Sequence, residues 1–139
     1  MKNRIKIVAA ILIVLLVSVM SGCGSTKLSD QFDKDTVLSK AQAVILDVNN
    51  GKYEEVYALF TDTLKSAITC DKLKNNLEEQ LKGAGDYDSF QSTSVIGQKE
   101  KSTGDDCAIA VLVTKYASKT KTYTVSFDSD MNINGFYIK

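Results

Sequence analysis

Hydrophobic positions change their spacing along this chain of 139 residues, and each change marks a boundary. Residues 7–20 are apolar apart from Ser18, with no period at all. Residues 24–35 are polar, with Leu28 and Phe32 isolated among them, and read as a flexible tether. Beyond them apolar residues recur every three or four positions. Val37, Ala41, Val44, Ile45 and Val48 form one stripe, which predicts a helix over about 36–48. Asp35 is placed to cap its start and Asn49-Asn50-Gly51 to end it. A second helix over about 53–60 carries Tyr53, Val56, Tyr57 and Phe60 on one side, and 62–68 continues it with Leu64 and Ile68. A third, over about 71–82, spaces Leu73, Leu77 and Leu81 four apart and stops at Gly83-Ala84-Gly85.

After Gly85 the period falls to two. Strands are predicted over about 89–98 and 107–117, through Tyr123, Val125 and Phe127, and over 133–138. In the second of these, Cys107, Ile109, Val111 and Val113 share one face, and Ala108, Ala110, Leu112 and Tyr116 the other. Polar loops at 99–106, 118–122 and 128–132 join the strands as hairpins. Helices first and an antiparallel meander afterwards give an α+β fold, with N-terminal helices packed on a curved four-stranded antiparallel sheet.

The apolar run near the start follows Lys2, Arg4 and Lys6, the layout of a secretory signal. Its fourteen residues would span only about 21 Å as a helix, short of the ~30 Å hydrocarbon core of a bilayer. Met20-Ser21-Gly22-Cys23 resembles the bacterial lipobox, with Met where Leu is more usual. The resemblance implies transfer of diacylglycerol to the Cys23 thiol and cleavage after Gly22. The expected organisation is a signal peptide over 1–22, a lipidated Cys and tether over 23–35, and a single domain over 36–139. The chain is then a lipoprotein anchored in the cell membrane on its extracytoplasmic face. Beyond Gly22 there are 14 Lys and no Arg against 17 acidic residues, about three net negative charges. Without a basic cluster or a single Arg, that is not the balance of a nucleic-acid-binding protein.

A further resemblance rests on the folded part. It runs through Asn49-x-Gly51-x-Tyr53, Val56-Tyr57-x-Leu59-Phe60, Leu64 with Ile68-Thr69, Leu73 before the stop at Gly85, and Phe127-Asp128, Ile133 and Gly135. Together these resemble the domain-of-unknown-function family 3887 of bacterial exported proteins. The resemblance implies a cone of nuclear-transport-factor-two or cystatin type. It also implies an accessory role, since some relatives carry the domain ahead of an α/β-hydrolase domain. Cone domains of this kind often pair through the sheet, so a dimer stays open.

Candidate chemistry is sparse. Cys70 and Cys107 remain once Cys23 is lipidated, and an oxidising compartment permits a disulfide between them; two free thiols are the alternative. The chain has no His, so a catalytic thiol lacks a base and no zinc-ligand spacing exists. Asp128-x-Asp130-x-Asn132 begins like a calcium loop, but Ile133 stands at the glycine position, so a polar turn is expected. No cofactor, metal or catalytic residue is indicated. Tyr53, Tyr57, Tyr116 and Tyr123 are candidates to line a pocket inside the cone, or alternatively to serve as amphipathic core. The expected function is a non-enzymatic module that binds a small apolar ligand or an envelope protein. A small hydrolase or isomerase is the alternative, and an acidic side chain buried beside a tyrosine would favour it. A broad apolar patch on Ile109, Val111 and Val113 would instead favour a protein-binding sheet face.

Overall fold

The computed structural model describes residues 27–139. The expectations for the signal peptide and Cys23 lie outside the described residues. Four helices precede four strands: α1 (Lys34–Asn49), α2 (Tyr53–Ala58), α3 (Asp62–Ala67), α4 (Cys70–Leu81), then β1 (Tyr87–Lys99), β2 (Asp106–Tyr116), β3 (Thr120–Phe127) and β4 (Ile133–Ile138). The strands form one open antiparallel sheet in the order β1-β2-β3-β4. This is the α+β architecture the change of period predicts.

Alternation along each strand decides what the helices cover. Ala108, Ala110, Leu112 and Tyr116 of β2, with Tyr123, Val125 and Phe127 of β3, face inward and are all buried. Against them pack Val37, Ala41, Val44, Ile45 and Val48 of α1, Val56 of α2, Leu64 of α3, and Leu73 and Leu77 of α4. Burying side chains of this size is worth about 1.5–3 kcal/mol each, so this layer dominates the stability. Thr114 is the one buried polar residue among those described.

Three details depart from the sequence reading. The tether ends earlier than expected, because Phe32 is buried in the core and Leu28 packs against it. Asp33, not Asp35, caps α1: its Oδ1 accepts from the Thr36 N–H at 2.8 Å and from the Thr36 hydroxyl at 2.7 Å. A stretch of polar letters with only two isolated apolar residues carries no periodic signal, so its packing was invisible. Finally, α3 is a separate helix rather than a continuation of α2. Thr61 is extended and caps α3, and the chain there pairs with the sheet edge: Thr61 N–H donates to Ile133 O at 2.9 Å and Ile133 N–H to Leu59 O at 2.8 Å. That short pairing covers part of the exposed edge of β4.

Candidate functional site

The four tyrosines do not gather in one place. Tyr57 turns toward α3, where its hydroxyl donates to Ile68 O at 3.0 Å, with Lys65 O at 3.3 Å. It pins the α3–α4 connection and belongs to the structure of the helical layer. The other three converge at the end of the sheet where β1 begins and β2 ends. Tyr116 donates to Asn49 Oδ1 at 2.7 Å, and the Tyr123 hydroxyl lies 2.6 Å from that of Tyr116. With the Tyr116 proton committed to Asn49, Tyr123 donates to Tyr116. A hydrogen-bonded chain thus runs from the core through Tyr123 and Tyr116 to the C-terminus of α1.

Tyr116 and Asn49 form part of the wall of a cleft of about 360 Å³, completed chiefly by Tyr53, Leu81, Asp86 and Tyr87. Each wall element has a local cause. Gly51, with φ +72°, ends α1 and lets Tyr53 open α2 beside it. Gly85, with φ +80°, sits so close to the β2–β3 turn that a Cβ there would lie 2.8 Å from the Ala117 Cβ. Hydrogen bonds from Ala117 N–H to Asp86 O at 2.9 Å and from Ser118 N–H to Ala84 O at 2.8 Å hold that loop against the hairpin.

Tyr87, Asp86 and Asn49 were not among the residues the sequence offered for a pocket. Tyr87 and Phe90 are three apart, which strict alternation would place on opposite faces. A bulge between Tyr87 and Ser89 puts Tyr87 opposite Tyr116 and Phe90 opposite Thr114, so both face inward, their rings 5.4 Å apart. Asn49 signals only a helix end. Its location under Tyr116 follows from the tertiary fold.

Burial sets the proton affinities here. It pushes the Tyr123 phenol far above its ordinary range, and the bond to Tyr116 adds to the effect. Tyr116 is raised mainly by burial, its bonds to Tyr123 and Asn49 offsetting part of the rise. Tyr53 is raised by burial and by the nearby Glu78 carboxylate. Among the described residues the buried set contains no carboxylate, and Asp86, the charged residue in the cleft wall, is exposed. The Asn49 Nδ2 is buried without a hydrogen-bond partner.

Cys70 and Cys107, candidates for a disulfide, are free thiols. The helices pack on the inner face, whereas Cys107 alternates with inward-facing Ala108 and points outward, where Asn134 Nδ2 donates to its Sγ at 3.2 Å. The sheet therefore stands between the two sulfurs. Partial burial raises both thiols, with acidic neighbours adding to the rise at Cys70 (Glu54 and Asp71), so neither is an activated nucleophile. Asp128 proves to be a turn residue, its Oδ1 accepting from the Asp130 N–H at 3.0 Å and the Asn132 N–H at 2.8 Å. On the outer face, Ile109, Val111 and Val113 make a row bordered by Ser92 and Ser94 on one side and Thr122, Thr124 and Ser126 on the other. That is a narrow stripe, widened by Ile96 opposite Ile109 and separated by Thr124 from the exposed Tyr137, rather than a broad apolar patch.

The fold and cleft define a class: a small α+β domain whose helices cover one face of an antiparallel sheet, with a tyrosine-lined opening at one end. Residues 41–136 match the family described as "Protein of unknown function (DUF3887)", and the chain belongs to that family. No curated protein matches it. Among solved structures it is similar to the NMR structure of a protein from Ruminococcus gnavus ATCC 29149. The two are 27% identical, with a TM-score of 0.69 over 84% of this chain and 99% of that one.

Proposed function

We propose that this protein is a membrane-anchored extracytoplasmic lipoprotein, held by diacylglycerol on Cys23, and that its cone-type domain is a non-enzymatic module binding a small ligand in the tyrosine-lined cleft. The observation that carries the binding reading is the wall around Asn49. A buried amide hydrogen without an acceptor costs about 1–3 kcal/mol, and a bound acceptor would recover part of that. Around it lie phenol hydroxyls and ring faces, the mixture of apolar surface and few placed polar groups that small-molecule sites share. The volume, about 360 Å³, is at the small end of that class.

An accessory role beside a hydrolase is compatible with such a module. Intrinsic hydrolase or isomerase activity has less support, because acid–base catalysis in a cone needs a carboxylate inside it, and the buried set among the described residues has none.

One experiment addresses both halves of the proposal: native mass spectrometry of the protein extracted from its host membranes. The expected mass lacks residues 1–22, carries diacylglycerol, and shows a further non-covalent increment that Tyr53→Leu abolishes. A mass that retains the signal segment or lacks the lipid refutes the anchoring. An increment that survives Tyr53→Leu moves the ligand elsewhere.

A further inference from the structure

The chemistry of the cleft wall narrows what it would hold. Tyr87 and Tyr116 meet edge to face, with ring centroids 6.3 Å apart and planes at 79°. Such a pair forms a corner rather than a stack, and Tyr53 approaches it from the start of α2. Aromatic corners present the electron-rich ring faces that attract cations.

The surrounding electrostatics have the same sign. Among the described residues Asp86 is the only charged one in the wall, and it is acidic. The 16-residue α1 delivers its C-terminal end to the cleft with no basic residue in its last turn, leaving the negative end of its dipole without a cation of its own. Glu78 acts on Tyr53 from α4. Three lysines directly adjoin wall residues in the chain: Lys52 pairs with Asp47 at 3.7 Å, Lys115 pairs with Asp88 at 3.6 Å, and Lys82, after Leu81, is exposed.

We propose that the cleft binds an organic cation, an alkylammonium group seated between Tyr53, Tyr87 and Tyr116 with Asp86 at its rim. This rests on the reading of the cleft as a binding site. A quaternary ammonium suits it best, since the tyrosine faces supply attraction without requiring the ligand to donate hydrogen bonds.

The test compares choline with its neutral carbon isostere, in which a tert-butyl group replaces the trimethylammonium. Both are titrated into the full-length chain in detergent, and the ring resonances of Tyr53, Tyr87 and Tyr116 are followed by NMR. Choline is expected to bind about tenfold more tightly than the isostere. Asp86→Asn, a surface change of nearly equal size, should weaken choline about threefold and leave the isostere unchanged. Equal affinity for the two probes would overturn the cation assignment while the cleft remains a ligand site. Ring resonances indifferent to both would also overturn it. The fate of the broader binding reading is then decided by the co-purifying mass increment, which does not depend on either probe.

Discussion

Tyr123 is fully buried on the inner face of β3, and its hydroxyl is linked through Tyr116 to Asn49 in the cleft wall. A phenol so placed loses its hydration if it ionises, which is why burial pushes both Tyr123 and Tyr116 upward. The unfolded chain releases the same protons near pH ~10. Because the folded-state values are raised, the stability these residues contribute is intact below about pH 10 and is lost as the pH climbs beyond it. The expected outcome is an alkaline transition in which the tyrosinate absorbance of Tyr116 and Tyr123 appears together with loss of the far-ultraviolet helix signal. Tyrosinate absorbance that is complete while the helices are still intact contradicts the buried network. The inward positions of Tyr116 and Tyr123 were legible, since both fall on the inward face of a period-two run. The partner Asn49 was not, because a residue 67 positions away in the chain is joined to Tyr116 only by the packing of α1 on the sheet. Tyr87 was hidden for a different reason: a bulge changes the alternation on which strand reading depends.

At the scale of elements, helical stripes and strand alternation carried most of the information. The helix ends and strand limits differ from their expected bounds mainly by one to three residues, the usual fraying of caps and turns. What pattern could not reveal was non-periodic packing. Residues 28–33 have too few apolar letters to show a period, yet Phe32 is only 7% exposed and Leu28 leans on the core. Gly97 records the same contact from the sheet side, since a Cβ there would collide with the backbone of Lys27 and come within 2.9 Å of the Leu28 Cα. Phe32→Ala is therefore expected to destabilise the fold by about 3 kcal/mol, as a buried aromatic truncation does, measured by urea denaturation. A change below about 0.5 kcal/mol, the scale of surface substitutions, would return this segment to the tether.

For the whole molecule, the packing of Leu28 would set an orientation if Cys23 carries the lipid proposed for it. The contact at Gly97 lies near the end of β1, and Tyr87 at its start is ten residues away, about 30 Å along a strand. From Cys23 to Leu28 the chain can reach at most about 18 Å even when fully extended. A lipid on Cys23 would thus draw the β1–β2 turn toward the bilayer and leave the cleft at the far end of the sheet. A ligand would then enter from the aqueous side, and the cation proposed for the cleft would be a free solute or part of a polymer rather than the headgroup of a lipid in the same membrane. Paramagnetic labels on lipid headgroups test this directly, with the lipidated protein in a nanodisc. The amides of residues 100–105 are expected to broaden while the ring resonances of Tyr87 and Tyr116 stay sharp. Broadening of the tyrosines instead would mean that the cleft faces the bilayer, and the membrane itself would become the source of its ligand.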